Sequence, residues 1–229
     1  MILREFYIEE MELRYFVGIN QLKFDTNQFF KNKEIVSEEE VLNYIFKTIE
    51  ELQDKNKESV VQIINDKYVL SEDHIFTACY YMQKAFFHKT YISNKKNIEL
   101  LLYLSTHRQI SKGLESFGIN FHDLKEGNII ACIISPIDNI KKLNKDILQN
   151  LNATEIELKL NNLSNDKIKR IIDNYEISDS QIKTVLNSYI NEEKNITELN
   201  KEIKIVSLAV FDLICEKMAL LNLEKIKSN

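Results

Sequence analysis

A basic run between Lys84 and Leu114 is the part of this sequence best suited to contact a nucleic acid. It holds six Lys and Arg residues against Glu99 alone, in a chain whose net charge is −5. Lys attracts phosphates, Arg grips a phosphate or stacks on a base, and an aromatic ring offers a platform for an unpaired nucleotide. The candidate RNA-binding residues are Lys84, His88, Lys89, Tyr91, Asn94, Lys95, Lys96, Arg108 and Lys112. They suit a single-stranded RNA end, although helix edges rich in Lys can also be plain solvated surface.

Covalent catalysis has little support in the residue pattern. It requires a base beside a Ser, Thr or Cys, and the sequence Ser105, Thr106, His107 places those types together without an evident oxyanion hole or orienting acid. The four glycines form neither a GxGxxG turn nor a P-loop. The four histidines are scattered, with no HExxH motif and no Cys at ligand spacing. We therefore expect a protein that is not an enzyme and that needs no metal or cofactor.

Length and composition are those of an ordinary folded protein, with 44% hydrophobic and 28% charged residues among 229. We expect one domain over residues 1–229, in which residues 137–202 form a helical elaboration or insertion. No apolar stretch approaches the ~20 residues of a membrane span, and the N terminus lacks the pattern of a signal peptide. These features predict a cytoplasmic protein whose cysteines, Cys79, Cys132 and Cys215, are reduced and buried.

Strands and helices alternate along the chain. The predicted strands are 12–20, 60–65, 128–135 and an edge strand at 154–160. The predicted helices are 38–55, 74–87, 97–106, 109–117, 166–174, 178–190 and 203–226. Ser37 with Glu40 is typical of a capping box, Ser71 repeats the N-cap, and Gly118 is expected to end a helix in the left-handed conformation. The fold class is therefore α/β (α+β): a small mixed sheet flanked by helices, with a helical insertion and a long C-terminal helix.

The last predicted helix carries a wider apolar surface than one buried face requires. Val206, Val210 and Leu213 lie on one stripe, and residues such as Phe211 and Ile214 widen it beyond the ~100° of an ordinary amphipathic helix. Either the helix is central and is wrapped by its own chain, for example by residues 137–202, or a partner covers its second face.

Four segments, in order, resemble the kinase-binding subunit of the KEOPS complex, the PRPK-binding protein family. They are HIFTACYYMQKAFFHKT at 74–90, ELLLYLSTHRQISKGLESFGI at 99–119, NIIACIIS at 128–135 and VFDLICEKMALLNL at 210–223. The combination of LLYLSTHRQI, the FGI that follows it and the closing EKMALLNL is the most specific part of this resemblance.

The resemblance implies partners that spacing alone does not show. It implies that the C-terminal helix binds a small PRPK-type kinase through Leu213, Lys217, Met218, Leu220, Leu221 and Leu223. It also implies that the basic run receives the 3′ CCA end of tRNA, with other KEOPS subunits as indirect partners. The expected function is to bind the kinase and recruit tRNA for threonylcarbamoyladenosine synthesis. On this view, Met218→Glu or Leu221→Glu should abolish the kinase complex and leave the protein folded.

Two other functions fit the residues. The first is a helical protein-interaction adaptor without nucleic-acid binding, in which the basic run is solvated surface. The second is a transferase or small-molecule enzyme that uses the turn at Ser105–Arg108 as an anion site, and it would need a pocket of convergent polar groups there.

Overall fold

The computed structural model describes residues 1–31, 35–161, 163–189 and 203–226, with the backbone alone at 161 and 222–226. The strands are β1 Ile2–Ile8, β2 Leu13–Phe24, β3 Val60–Asn65, β4 Ile129–Ser135 and β5 Ala153–Ile156. The helices are α1 Thr26–Phe29, α2 Glu38–Lys55, α3 Glu72–Phe87, α4 Lys96–Ser105, α5 Ile110–Phe117, α6 Phe121–Glu126, α7 Ile140–Asn150, α8 Asn165–Asn174, α9 Asp179–Ser188 and the C-terminal helix Ile203–Ile226.

The predicted fold class, with its C-terminal helix, is confirmed, but the sheet of the described residues is antiparallel throughout. Its order is β1-β2-β4-β3, and β5 pairs with the end of β2 on the edge that β1 leaves open. If β2 and β3 were neighbours in the sheet, the strand–helix–strand unit β2–α2–β3 would make them a parallel pair, and the sheet would be mixed. Strand β4 instead lies between β2 and β3 and runs opposite to both of them.

Strand β1 is absent from the sequence prediction. Its inward side chains, among them Phe6 and Ile8, alternate with the exposed Leu3, Glu5 and Tyr7. This period of two is the signal that identifies a half-buried strand. The edge strand predicted at 154–160 is shorter in the structure, where it forms β5.

Helices cover both faces of the sheet. All seven residues of β4 are buried, as its continuous apolar sequence predicts. Its Ile130, Cys132 and Ile134 face a core formed with α3, α4 and the C-terminal helix. Its Ile129 and Ile133 face a second core formed with α2, α6 and α7.

Two of the predicted helix caps are confirmed and one is wrong. Glu40 N–H donates to Ser37 Oγ at 3.2 Å and Ser37 N–H donates to the Glu40 carboxylate at 3.0 Å, which is the capping box. Ser71 Oγ accepts from the backbone N–H three residues on, at 3.3 Å. Gly118 is extended, with φ −64° and ψ 150°, instead of left-handed. Its missing side chain matters because a Cβ there would collide with the carbonyl oxygen of Leu114.

The described residues between 137 and 189 contribute to both sides of the sheet. Helix α7 and β5 join the second core, whereas α8 and α9 pack against the C-terminal helix. Ile182 and Leu186 of α9 share a buried cluster with Val210 and Leu213. The chain itself therefore covers part of the wide apolar surface of that helix.

Cys79 and Cys132 are buried free thiols with their sulfur atoms 3.5 Å apart, and Cys215 is a free thiol that is half-buried. Among the helices that the structure describes, none has the length and apolarity needed to cross a membrane.

Candidate functional site

The connection between α3 and α4 brings together seven of the nine predicted RNA-binding residues. Lys84 lies in the last turn of α3, and His88 and Lys89 are exposed just after it. The Tyr91 ring stacks on Phe86 with ring centres 4.6 Å apart. Asn94 and Lys95 lead into α4, which begins at Lys96.

Acids from distant parts of the chain compensate much of this basic charge. Lys84 pairs with Glu10 at 3.2 Å, and Lys95 pairs with Glu50 at 3.4 Å. Glu99, the one acid within the run, is fully buried and accepts the backbone N–H groups of residues 92 and 93. The charge surplus counted along the sequence is therefore smaller on the folded surface.

Lys96 is the most enclosed of these cations. Its Nζ donates to the Gln83 side-chain oxygen at 3.1 Å and lies 5.5 Å from the centre of the Phe86 ring. Burial lowers the pKa of Lys96, and the nearby Glu58 offsets only part of that shift. Lys96 lines a cavity of about 620 Å³ beside α2 and β3, where Glu50, Asp54, Lys57 and Lys95 mix both signs of charge.

Arg108 and Lys112 do not lie with the other seven. They follow the far end of α4, whose ten residues span about 15 Å. Lys112 is exposed on α5 and pairs with Glu115 at 3.1 Å. The Arg108 guanidinium donates to the backbone oxygen of Leu221 at 3.1 Å, so Arg108 contacts the C-terminal helix.

The C-terminal helix buries most of its predicted anchors in the chain's own core. Leu213 and Leu221 are 5% exposed and Met218 is fully buried. A glutamate at position 218 or 221 would place a charge in that core, which costs several kcal/mol of folding free energy. The expectation that Met218→Glu or Leu221→Glu leaves the protein folded therefore conflicts with their burial.

The outer face of the same helix presents apolar side chains to solvent. Leu208 and Leu220 are 51% and 45% exposed, and Lys217 is half-buried. The side chain of Leu223 lies outside the described residues. Beside this face, the hydroxyl of Tyr189 donates to the Asp212 carboxylate. Burial, together with that carboxylate, raises the pKa of Tyr189 to about 12.

In the described structure, the turn after α4 does not pair the Ser105 hydroxyl with the His107 ring. Ser105 is buried, and its hydroxyl donates to the Leu102 carbonyl at 3.2 Å and accepts the backbone N–H of His107 at 3.4 Å. The hydrogen bond between Ser105 and His107 thus uses the backbone N–H of His107 and not its imidazole ring, which a catalytic base would use.

A cavity of about 360 Å³ adjoins this turn and the C-terminal helix. Its lining residues are Thr106, His107, Arg108, Tyr175, Glu176, Lys217, Leu220 and Leu221. Sequence reasoning missed Tyr175 and Glu176, because they reach the cavity from the end of α8 and no local motif signals them. The cavity joins Arg108, assigned from sequence to RNA, with Lys217 and Leu220, assigned to the kinase.

A protein-family comparison agrees with the resemblance seen in the sequence. The model of the family described as Kinase binding protein CGI-121 matches residues 39–221. The match begins within α2 and ends at Leu221, so it includes α3, α4, β4 and most of the C-terminal helix. A search of the curated proteins found no match. The chain belongs to the Kinase binding protein CGI-121 family.

Proposed function

We propose that this chain is a cytoplasmic, non-catalytic subunit of a KEOPS complex that binds the small PRPK-type kinase and recruits tRNA for threonylcarbamoyladenosine synthesis. The observation that carries the kinase part is the outer face of the C-terminal helix, in a chain of a kinase-binding family. Leu208 and Leu220 are each about half exposed there. Their separation of 12 residues corresponds to about 18 Å along the helix and about 120° around it. The exposed Asp212 and Glu216 lie between them, so this face combines apolar and acidic side chains.

The inner face of the helix supports this assignment. Val210, Ile214 and Met218 are fully buried, which fixes the helix against α3, α4 and α9. Leu220 is thereby presented from a rigid element whose position does not need to change on binding. Preorganised side chains of this kind lose little entropy when a partner covers them.

The kinase part is tested by measuring the affinity of the purified chain for the kinase of the same organism by calorimetry. Leu220→Glu should weaken binding by about tenfold or more, because an apolar anchor is replaced by a charge. The matched control is Leu3→Glu, because Leu3 is 47% exposed and lies on the opposite face of the sheet. Equal affinity of both variants and the wild type would remove the helix from the kinase interface.

The tRNA part is supported by the α3–α4 connection. His88 and Lys89 are exposed, and the stacked Tyr91 and Phe86 rings form an aromatic platform next to them. The ion pairs of Lys84 and Lys95 do not prevent phosphate binding, because exposed pairs contribute only about 0–1 kcal/mol and exchange partners readily. The tRNA contact is proposed for this region as a whole and not for individual side chains.

Binding of tRNA to the chain should weaken steeply with salt, with a logarithmic slope near 0.7 per single-stranded phosphate contacted. Binding should also weaken when the CCA end is trimmed. Lys89→Glu should reduce the affinity for intact tRNA and leave the affinity for trimmed tRNA unchanged. The compensated charge of the basic run favours a second candidate, the adaptor without nucleic-acid binding. An affinity for tRNA that changes neither with salt nor with trimming would refute recognition of the CCA end, and no binding of tRNA at low salt would favour the adaptor instead.

A further inference from the structure

We propose that Arg108 and Lys217 together bind a carboxylate side chain of the kinase, in the cavity beside Leu220. This inference rests on the proposed kinase-binding function and assigns a specificity-determining pair within that interface. Arg108 thus belongs to the protein partner and not to the RNA surface.

The first step of the argument is the orientation of Arg108. Its guanidinium has five N–H donors, and one of them donates to Leu221 O at 3.1 Å. That bond holds the planar group against the C-terminal helix at the wall of the cavity. A guanidinium fixed in this way loses little freedom when it donates two parallel hydrogen bonds to the oxygens of a carboxylate.

The second step is the charge of the cavity. Lys217 precedes Leu221 by four residues, so it lies one helical turn away on the same side of the helix. Within the ranges that the structure describes, neither Arg108 nor Lys217 has an ion pair. The single acid that lines the cavity is Glu176, which is exposed. Two cations therefore face one acid in a concave site of a chain whose net charge is −5.

The third step is the position of this cavity. Leu220 lines this cavity and is also an exposed leucine on the outer face of the C-terminal helix, where the kinase is proposed to bind. A partner that covers Leu220 with an apolar side chain would exclude water from the neighbouring cations. Carboxylates satisfy such cations with hydrogen bonds that are stronger than neutral ones. The partner is therefore expected to present an Asp or Glu next to its apolar contact.

The test measures the affinity of the full chain for the kinase by calorimetry with two charge reversals, Arg108→Glu and Lys217→Glu. Each should weaken binding by about 30-fold or more, as expected when one member of a desolvated charge pair is lost. The charge-matched control is Lys141→Glu, which is exposed on α7 beyond the other face of the sheet. Arg108→Lys should restore only part of the affinity, because lysine keeps the charge but not the planar fork.

The Lys217→Glu variant controls for loss of folding, because Lys217 has no hydrogen bond to the core in the described structure. The thermal unfolding midpoint of this variant should stay near that of the wild type. If the wild type binds but both reversals match the Lys141→Glu control, the carboxylate site is wrong and the kinase function stands. If the reversals reduce tRNA binding and leave kinase binding unchanged, the cavity serves RNA and the inference is overturned. A wild type that fails to bind a folded kinase would instead refute the proposed function itself.

Discussion

Protonation of His74 should make the folded state lose stability in mild acid. The His74 ring is fully buried, with Nδ1 accepting the Leu70 backbone N–H at 3.3 Å and Nε2 lying 3.2 Å from the Leu104 carbonyl oxygen. The Tyr175 hydroxyl donates to the same carbonyl and lies 3.2 Å from Nε2. This network fits a neutral imidazole that donates from Nε2. Burial lowers the pKa of His74 to about 4, and the Leu104 carbonyl offsets only part of that shift.

The sign and size of the effect follow from the two pKa values. The pKa of an unfolded histidine is about 6.5, so acid protonates the unfolded chain before it protonates the folded one. The contribution of neutral His74 to the free energy of unfolding is therefore complete above about pH 6.5 and is lost as the pH falls towards about 4. The loss is about 2 kcal/mol by about pH 5 and about 3 kcal/mol by about pH 4.

Urea unfolding at a series of pH values measures this loss as a fall in the free energy of unfolding. Carboxylates titrate in the same range, so the relevant quantity is the difference between the wild type and His74→Gln, which cannot titrate. The wild type should lose about 2 kcal/mol more than His74→Gln between about pH 7 and about pH 5. Equal pH slopes, or an NMR titration of the folded His74 ring with a midpoint near 6.5, would refute the reasoning.

The remaining predictions concern packing. Met218→Ala should lower the free energy of unfolding by about 2–5 kcal/mol, because Met218 is fully buried, whereas Leu220→Ala should cost less than about 1 kcal/mol. Gly118→Ala should destabilise the protein, because the added Cβ meets the Leu114 carbonyl oxygen, whereas Gly113→Ala, which meets its nearest atom at 3.4 Å inside α5, should stabilise it by up to about 1 kcal/mol. Thermal or urea unfolding measures both pairs, and a reversed order within either pair would contradict the packing described.

The secondary structure was largely accessible from the sequence because its signals are local. The caps at Ser37 and Ser71 use hydrogen bonds that reach only three residues along the chain. The ends of the apolar runs in the sequence also indicate where β3 and β4 begin and end. The family resemblance likewise rests on contiguous segments. Strand β1 has a local signal of the same kind, because buried and exposed side chains alternate along it.

The candidate surfaces were accessible only in part. The sequence determined which residues are basic or apolar, but the fold decided which of them face solvent. Lys84 meets Glu10 across 74 positions, and Arg108 meets Leu221 across 113 positions. Strand order and helix packing set these contacts, and neither is written in local spacing. Local patterns and contiguous segments therefore determined the elements and the family resemblance, whereas the three-dimensional packing decided that Leu220 is exposed, that Leu221 is core, and that Arg108 and Lys217 line one cavity.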